Sequence, residues 1–551
     1  MRQKPVPKRP APAAATLRAR IDRALASGAI ETAARLAETA LAGGAGDPML
    51  LNLAAWRREE AGDYAGAHQL LQRALALVPG DPLVLAAIAA VLRKEGRADD
   101  ALVIIDRSIA TVPHHAPFWL ERGYIHDALR NWAAARASYE RALSLDPALA
   151  PAMAKLADLA AKDGDPIAGR RMALAALALD PAEPTAVCAL ATIEIEARDG
   201  AAAQQRLIAL LDRSGKGVKG EDRIRALTLL GDALDRQDRT ADAFATWTRA
   251  QQAFRDLHRT DLAPADGRPS HRMFIRAIAD QVRASPPMAP PPPPPPVPGA
   301  AATHVFLLGY PRSGTTLVEN VLASAPGVVA LEERDTLADA DGVLIANDGT
   351  MPALDAIDAD RLAALRAAYW RRVAALAGDV DGRTFVDMNP FNGIKLPLIA
   401  RLFPTARILV MRRDPRDVVL SCFRINFTPS TAAWAFSELE ETARHYDALM
   451  TLTELCRERL PLACHEVRYD RLVTDFEATV RAVADFVGLE WTDAFLRFDR
   501  TAQARGVRTA SAGQVRRGLF DGRGQWRRYA DPLAPALPIL APWIERFGFD
   551  T

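Results

Sequence analysis

The sequence predicts an α-helical repeat array followed by an α/β domain with a central parallel sheet and a P-loop-like turn. Three observations predict this architecture: a 34-residue period in the first part of the chain, a proline-rich segment after it, and apolar runs followed by short turns beyond that segment. We therefore divide the chain into a repeat array over residues 15–262, a connecting segment over 263–302 and an α/β domain over 303–551.

The composition is that of a globular protein with several folding units. The 551 residues are too many for one core, and 49% of them are hydrophobic against 25% charged. A net charge of +1 gives no overall field, so we expect neither nucleic acid nor a membrane as a partner. The four cysteines form no C-x-x-C pair, and no apolar stretch suits a signal peptide or a membrane span, which predicts a cytoplasmic protein.

Prolines, glycines and small residues recur every 34 residues or a multiple of 34. Small residues let paired helices approach closely, glycine permits a tight turn, and proline ends the second helix of each pair. The recurring residues are Pro79, Pro113, Pro147 and Pro181; Gly62, Gly96 and Gly164; Ala74, Ser108, Ala142 and Ala176; and Ala67, Ala101 and Ala135.

This pattern resembles the tetratricopeptide repeat family over roughly residues 15–215, with a further match from Arg225. The resemblance implies a concave surface that holds a partner protein or a peptide acceptor. Two alternatives stay open, a solenoid that only stabilises the protein and an array that forms a homodimer.

Seven consecutive prolines, Pro290–Pro296, lie where the composition changes from helical to strand-bearing. Such a run adopts an extended polyproline helix, so we interpret it as a semi-rigid spacer. A ligand for a proline-binding domain is the alternative.

The segment "HVFLLGYPRSGTTLVENVLAS" predicts a strand over His304–Leu308, a turn from Gly309 to Gly314 and a helix after it. A strand, a glycine-containing turn and a helix start together make a cradle for an anion. The spacing is close to that of a Walker A motif, but Thr315 stands where the phosphate-binding lysine would be, and Arg312 supplies the cation. This departure argues against a kinase or NTPase. The alternative is an ordinary turn capped by Ser313 or Thr315.

A second candidate anion element reads "ARILVMRRDPRDVVLSCFRINF". Residues 407–411 predict a buried strand, Asp414 is a natural N-cap, and Arg413 and Ser421 can then hold one phosphate between them. The alternative is an arginine that pairs with Asp414 or Asp417 at the start of the helix.

Together the two elements resemble sulfotransferases that use 3′-phosphoadenosine 5′-phosphosulfate as donor. The resemblance covers residues 303–530 and is nearest to bacterial tetratricopeptide-repeat sulfotransferases and, more distantly, to tyrosylprotein sulfotransferases. "YPRSGTTL" resembles the 5′-phosphosulfate loop and "RRDPRDVVLS" the 3′-phosphate element. The donor contacts that this implies are Arg312, Ser313, Gly314, Thr315, Thr316, Arg413 and Ser421.

The resemblance also implies a catalytic base. In tyrosylprotein sulfotransferases the base is the second glutamate of a similar pair, which corresponds to Glu333, twenty-one residues after Arg312. The alternative is that Glu332 and Glu333 are solvated and pair with Arg334. The implied scheme, an in-line displacement at sulfur, requires no metal.

The pattern breaks at "TFVDMNPFNGIKLPLIARLFP". Related sequences carry a lysine directly after the position of Asp387, where this chain has Met388, and a thioether supplies no charge. Three alternatives stay open: Lys395 supplies the charge to the leaving group, Arg312 supplies it alone, or the enzyme is weak or inactive.

Two later segments add candidate donor contacts. "EVRYDRLVTDF" resembles the strand that ends in a tyrosine, which implies Tyr469, and "RTASAGQVRRGLFDGRGQWRRY" resembles the loop that closes over the adenosine phosphates, which implies Ser511, Gln514 and Arg517. The alternative for the second segment is a solvated arginine-rich face.

The sequence thus predicts a sulfotransferase that acts on a hydroxyl or amine of a protein, peptide or small molecule, with the repeats recognising the acceptor or a partner. A non-catalytic scaffold with a degenerate nucleotide-binding domain is the main alternative.

Overall fold

The computed structural model describes residues 12–44, 46–212, 218–351, 354, 357–505, 512–516 and 518–550. The chain divides into two compact units. The first contains the described residues up to Ala160 together with Ile167–Ala189, and the second contains Ala161–Pro166 and the described residues from Leu190 onward. The domain bounds at residues 262 and 303 stay a prediction.

The N-terminal half consists of α-helices, as predicted. These are α1 (Pro12–Ala26), α2 (Ile30–Ala42), α3 (Pro48–Glu60), α4 (Tyr64–Leu77), α5 (Pro82–Lys94), α6 (Ala98–Thr111), α7 (Ala116–Ala128), α8 (Trp132–Leu145), α9 (Ala150–Asp163), α10 (Pro166–Leu179), α11 (Pro184–Glu196), α12 (Gly200–Leu211), α13 (Gly220–Asp235) and α14 (Thr240–Leu262).

The repeated residues occupy the positions that their chemistry predicts. The recurring alanines Ala67, Ala101 and Ala135 are completely buried. The glycines at the turns Gly62 and Gly96 have φ angles of 77° and 79°, a left-handed conformation that glycine adopts without strain. Each recurring proline lies in the turn just after a helix has ended. The helix pairs inferred from the 34-residue period are therefore confirmed.

The rest of the chain forms an α/β structure. Its elements are α15 (His271–Ala284), β1 (Thr303–Leu308), α16 (Thr315–Ala323), β2 (Val328–Glu332), α17 (Ala338–Leu344), α18 (Ala359–Ala377), β3 (Thr384–Met388), α19 (Leu396–Leu402), β4 (Arg407–Arg412), α20 (Pro415–Phe423), α21 (Thr431–Phe436), α22 (Leu439–Arg459), β5 (Ala463–Arg468), α23 (Tyr469–Thr474), α24 (Phe476–Val487), α25 (Phe498–Arg505), α26 (Ala512–Val515), α27 (Ala530–Leu533) and α28 (Leu537–Arg546). Short 3₁₀ helices span Pro390–Lys395, Asp493–Arg497, Gln525–Tyr529 and Ala534–Ala536.

The five strands form one parallel sheet in the order β2-β3-β1-β4-β5. Alternate side chains of the central strand β1 enter two cores, one on each face of the sheet: Phe306 and Leu308 lie in the first, and Val305 and Leu307 in the second. Because the strands are parallel, the turns after β1, β2, β3 and β4 all lie at one edge of the sheet. This edge carries the residues singled out above.

The segment before β1 contributes to the α/β core, which its sequence did not predict. Ile275 and Ile278 of α15 are completely buried in the same core as Phe306. Beyond α15, the backbone amide of Met288 donates to the carbonyl of Arg459 at 3.0 Å.

None of the described helices combines the length and the apolar composition that crossing a bilayer needs.

Candidate active site

The turn after β1 is held in a strained, compact conformation. Arg312 has a φ of 71°, which is unfavourable for a residue with a side chain, and Gly314 has a φ of 108°. A Cβ atom at Gly314 would lie 2.8 Å from the Tyr469 ring, so only glycine fits there. The helix α16 begins at Thr315 with Gly314 as its N-cap. The Oγ of Ser313 has no hydrogen-bond partner among the described residues, so Ser313 does not cap the helix.

The structure brings the two candidate anion elements together. Strands β1 and β4 are hydrogen-bonded neighbours, with Leu308 opposite Val410. At the edge where they end, the Nε of Arg312 donates to the Oγ of Ser421 at 3.0 Å, although 109 residues separate the two. The two elements therefore meet at one edge of the sheet.

Arg413 braces the turn after β1. Its Nη1 donates to the carbonyl of Arg312 at 2.9 Å, its Nη2 donates to the carbonyl of Gly522 at 2.6 Å, and its guanidinium lies over the Tyr469 ring at 4.7 Å. The hydroxyl of Tyr469 donates to the carbonyl of Phe520 at 2.7 Å. Arg413 and Tyr469 thus attach the segment that contains Phe520 and Gly522 to the turn after β1.

The acidic residues beside Arg413 have other hydrogen-bond partners. Asp414 caps α20, as predicted, and its carboxylate accepts from the guanidinium of Arg416 at 2.9 and 2.8 Å. Asp417 accepts from the backbone amides of Gly524 and Trp526 at 2.8 and 2.9 Å. The arginine that pairs with Asp414 is therefore Arg416, and Arg413 is directed to backbone carbonyls.

Positive charge collects at the edge between β1 and β4. Burial, together with the neighbouring charges of Arg413 and Arg424, lowers the pKa of Arg312 to about 10, so Arg312 stays cationic near neutral pH. The Oγ of Ser313 and the Nε of Arg413 are buried and have no hydrogen-bond partner in the described part of the chain. Polar atoms of this kind are costly unless a ligand satisfies them, so the site fits a phosphorylated anion.

The candidate base lies at the neighbouring end of β2. Glu333 directly follows the strand, is half-buried and has a φ of 43°. Its backbone amide donates to the carbonyl of Met388 at 2.8 Å, and its charge interacts with that of Arg312. The structure thus brings Glu333 to the edge that carries the cations.

A third carboxylate lies behind this glutamate pair. Glu319 of α16 is completely buried, and burial raises its pKa to about 7, with Glu332 and Glu333 adding repulsion. Arg505 donates to one of its oxygens at 2.7 Å and to the carbonyl of Ala330 at 2.9 Å. Sequence reasoning missed Glu319, because it lies inside an apolar helix pattern.

Met388, the last residue of β3, and Lys395, at the end of the following 3₁₀ helix, have different surroundings. Met388 is completely buried and packs into the core formed with α16 and α24. The Nζ of Lys395 lies 3.0 Å from a carboxylate oxygen of Asp335 and also contacts Asp341. Lys395 is thus held by two aspartates that follow Glu333, and its role in catalysis stays a prediction.

Two predicted donor contacts, Ser511 and Arg517, lie outside the described residues, as does the side chain of Gln514. Thr315 and Thr316 are buried in the first turn of α16.

Comparison with known proteins gives the α/β part a family. Residues 304–493 match the model of the sulfotransferase family, and residues 59–120 and 116–149 match models of the tetratricopeptide repeat. The chain combines tetratricopeptide repeats with a sulfotransferase domain.

Two of three similar relatives are protein-tyrosine sulfotransferases, and the third is uncharacterized. An uncharacterized protein of Aquifex aeolicus is 30% identical over 246 residues, which are 43% of this chain and 32% of that protein. Protein-tyrosine sulfotransferase 2 of Gallus gallus is 28% identical over 259 residues, 45% of this chain and 69% of its own length. Protein-tyrosine sulfotransferase A of Caenorhabditis elegans is 22% identical, with 45% and 67% covered. The chain therefore spans about a third of the length of the Aquifex protein and about two thirds of the other two.

The sulfotransferase domain contains a buried chain of hydrogen bonds that the sequence did not reveal. The hydroxyl of Tyr310, beside Arg312, lies 2.8 Å from Nδ1 of His445, and Nε2 of His445 lies 2.7 Å from Nδ1 of His271. Burial lowers the pKa of His271 to about 4, and the pKa of His445 is also lowered by burial, so both rings are neutral near pH 7. No local motif marks these three residues because they lie in three separate segments.

Proposed function

We propose that the protein transfers a sulfuryl group from 3′-phosphoadenosine 5′-phosphosulfate to a hydroxyl or amine acceptor. The observation that carries the proposal is the contact between Arg312 and Ser421, braced by Arg413, at the adjoining ends of β1 and β4. Two separate cationic elements at one sheet edge suit a donor that carries phosphate groups at two positions.

The residues divide between the two ends of this donor. Arg312, Ser313, Thr315 and Thr316 would hold the 5′-phosphosulfate at the start of α16, and Arg413, Ser421 and Tyr469 the 3′-phosphate, with Ser511 and Arg517 as further predicted contacts. Buried donors and cations fixed in advance stabilise spreading negative charge because they need no reorganisation during reaction.

In the proposed reaction, the acceptor oxygen or nitrogen forms a bond to sulfur while the bond from sulfur to the bridging phosphate oxygen breaks. The electron pair leaves with adenosine 3′,5′-bisphosphate, and the proton of the acceptor passes to the Glu333 carboxylate. Arg312 neutralises charge that develops on the leaving oxygens.

The donor site is tested with Arg312→Ala and Ser421→Ala. We expect each variant to bind adenosine 3′,5′-bisphosphate more weakly, and the arginine variant by about tenfold or more, because a hydrogen bond to a charged group contributes about 1.5–3 kcal/mol. Isothermal titration calorimetry measures the affinity. Arg283→Ala is the control, since Arg283 is exposed and pairs with Asp280, three residues away in the same helix. Unchanged affinity in both test variants would contradict the site.

The base is tested with Glu333→Gln, which keeps the size of the side chain and removes its basicity. Donor affinity should stay close to that of the wild type, whereas kcat should fall by about 100-fold or more, the usual contribution of general base catalysis. Normal turnover in this variant would place the base elsewhere.

A second candidate function, a scaffold that binds the nucleotide without turnover, is favoured by one observation. Met388 is completely buried where related sequences carry a lysine, so it brings no cation to the leaving group. Release of adenosine 3′,5′-bisphosphate with a panel of alcohols, phenols and amines separates the two functions. Donor binding without release for every acceptor would favour the scaffold.

The proposal includes three further points that rest on the sequence. The repeat array recognises the acceptor or a partner protein. A second copy of the same chain is one such partner, which would give a homodimer. The protein acts in the cytoplasm. Size-exclusion chromatography with light scattering measures the oligomeric state directly.

A further inference from the structure

Strand β2, which ends at the candidate base, is less enclosed than the helix beside it. It lies at the edge of the sheet, where within the described strands only β3 is hydrogen-bonded to it. Its five residues are all half-buried, whereas Thr315–Leu322 of α16 are all buried. An edge strand leaves a row of backbone groups without a strand partner. The position of Glu333 relative to α16 therefore depends on contacts from outside the sheet.

One guanidinium bridges β2 and α16. Nη2 of Arg505 donates to the carbonyl of Ala330 in β2 at 2.9 Å and to the carboxylate of Glu319 in α16 at 2.7 Å. Its Nη1 donates to the side-chain oxygen of Asn320 at 3.1 Å. A planar guanidinium suits this task because its donors point in several fixed directions. Arg505 thus joins the strand of the base to the helix at the donor site.

The helix side of this bridge is anchored close to the donor site. The side chains of Glu319 and Asn320 are completely buried. Nδ2 of Asn320 donates to the carbonyl of Thr316, one helical turn earlier, at 2.8 Å. Thr316 is one of the predicted donor contacts. The bridge therefore reaches the first turn of α16 through a single side chain.

Arg505 also offsets a repulsion between carboxylates. Burial raises the pKa of Glu319 to about 7, Arg505 acts against this rise, and the charges of Glu332 and Glu333 add to it. Like charges in a poorly solvated place repel each other strongly unless a cation compensates them. Without Arg505, an ionised Glu319 would push the end of β2 away from α16.

We propose that Arg505 and Glu319 are positioning residues for the general base: they hold the end of β2, and with it Glu333, at a fixed distance from the start of α16. This inference rests on the proposed sulfotransferase function. In this role the two residues act on the reaction only through the position of Glu333. A misplacement of about 1 Å can cost about 100-fold in rate, so the bridge affects kcat more than donor binding.

The test variant combines Arg505→Met with Glu319→Gln, which removes the bridge without leaving a buried carboxylate uncompensated. We expect kcat to fall by about tenfold or more. The affinity for adenosine 3′,5′-bisphosphate should stay within about twofold, because the buried residues of α16 hold the helix in place. Release of the nucleotide with the best acceptor of the panel gives kcat, and calorimetric titration gives the affinity. Arg505→Lys, which keeps the charge, should keep part of the kcat.

The matched control combines Arg481→Met with Glu477→Gln. Arg481 also forms an ion pair with a glutamate, at 2.6 Å, but both side chains are exposed on α24, at 47% and 58%. Their removal should change kcat by about twofold at most, the usual effect of a surface substitution. A fall in the control as large as in the test variant would overturn the inference.

The same test variant in a Glu333→Gln background separates positioning from general damage to the fold. If the bridge acts through the base, its removal should lower kcat by about twofold at most in this background, because a displaced glutamine has no basicity to lose. An equal loss of kcat in both backgrounds would assign the bridge a purely structural role and overturn the inference.

Hydrogen exchange followed by mass spectrometry measures the bridge without catalysis. The backbone amide of Glu333 donates to the carbonyl of Met388 at 2.8 Å. In the test variant we expect the amides of residues 328–333 to exchange about tenfold faster or more, because the strand end opens more often. Exchange at the wild-type rate would overturn the inference.

These readouts distinguish this inference from the proposed function. If the wild type binds the nucleotide and turns over, but the test variant keeps its kcat, the inference fails while the donor site stands. If the wild type neither binds the nucleotide nor turns over, the proposed function fails. Hydrogen exchange alone then decides whether Arg505 and Glu319 fix the end of β2.

Discussion

Asp387, the residue before Met388, shows how a buried carboxylate positions the edge of the sheet. It is completely buried, and its Oδ2 accepts from the hydroxyls of Thr336 and Tyr369 at 2.6 and 2.7 Å. Since the Tyr369 hydroxyl donates to Asp387, Nε2 of His304, 2.7 Å away, is the donor to Tyr369. The bond to Thr336 ties strand β3 to the loop that begins at Glu333.

Thr336→Val keeps the shape of the side chain and removes this tie. We expect kcat to fall while donor affinity stays unchanged, and the free energy of unfolding to fall by about 1–3 kcal/mol because a buried acceptor loses one of its donors. Steady-state kinetics and urea unfolding measure the two effects. Thr350→Val is the control, since the exposed Thr350 hydroxyl also donates to an aspartate, Asp348, at 2.7 Å. An equal kcat in wild type and Thr336→Val would leave Thr336 with a purely structural role.

Asp387 also predicts a pH dependence of stability. Burial raises the pKa of its carboxyl group from 3.8 to about 6. Between these values the folded protein binds more protons at this position than the unfolded chain does, so its contribution to stability falls as pH rises through this window. The free energy of unfolding of the wild type should therefore decrease relative to that of Asp387→Asn from about pH 4 to pH 6. A difference that is constant or increases over this range would contradict the prediction.

At this scale the sequence predicted that Arg312, Arg413 and Ser421 all belong to the donor site, because they lie in two recognisable strand–turn–helix segments. It paired Ser421 with Arg413, whereas in the structure Ser421 accepts from Arg312. The partners of Asp387 could not be predicted, because Tyr369 lies in a helix and His304 at the start of β1, and their side chains meet only once the sheet and that helix pack. The sequence suggested that Lys395 lies near the same edge of the sheet, but no motif indicated that Asp335 and Asp341 would be its partners.

Among the elements, two pairs of helices approach closely at a glycine that packs on an aromatic ring. A Cβ atom at Gly123 of α7 would lie 2.2 Å from the Tyr139 ring of α8, and one at Gly231 of α13 would lie 2.3 Å from the Trp247 ring of α14. In both pairs sixteen residues separate the glycine from the ring. Because the ring fills the space that a Cβ atom would need, each of these positions requires glycine.

Gly123→Ala should destabilise the repeat array by about 1–3 kcal/mol, the usual effect of overpacking a filled core. Thermal unfolding followed by circular dichroism measures this loss. Gly46→Ala, where the added methyl group meets no atom within 4 Å, should leave the unfolding temperature nearly unchanged. Equal stability of the two variants would show that the α7–α8 pair relaxes around the extra atom.

The period in the sequence predicted these helix pairs, and continuous apolar runs predicted β1 and β4. The sequence did not predict that α15 enters the α/β core, because a short helix beside a run of prolines looks like part of a connection. Burial of Ile275 and Ile278 depends on the surface that α22 offers, and no local pattern encodes that surface.

In the whole molecule, the last helices of the repeat array and the sulfotransferase domain share one compact unit. The carboxylate of Asp235 in α13 accepts from Arg528 at 2.7 Å and from the hydroxyl of Tyr529 at 2.5 Å. On α14, the side-chain amide of Gln251 donates to the carbonyl of Phe423 at 2.5 Å, and the Phe244 and Phe423 rings stack 5.2 Å apart. The α/β elements therefore depend on helices that precede the prolines.

A fragment of residues 190–551 should fold and bind adenosine 3′,5′-bisphosphate, whereas a fragment of residues 303–551 should be unstable. The shorter fragment loses α15 from its core and exposes the surfaces that α13 and α14 cover. Circular dichroism and calorimetric titration of the two fragments measure the difference. A stable, nucleotide-binding shorter fragment would show that the α/β elements are self-sufficient.

Helix α20 contacts both the candidate donor site and the last repeat helix, and this double contact bears on regulation. Its Ser421 accepts a hydrogen bond from Arg312, and the carbonyl of Phe423, two residues further on, accepts one from Gln251 of α14. A ligand that binds the last repeat helix and shifts α20 would change the affinity for the nucleotide, and by thermodynamic reciprocity the nucleotide would change the affinity for that ligand by the same factor.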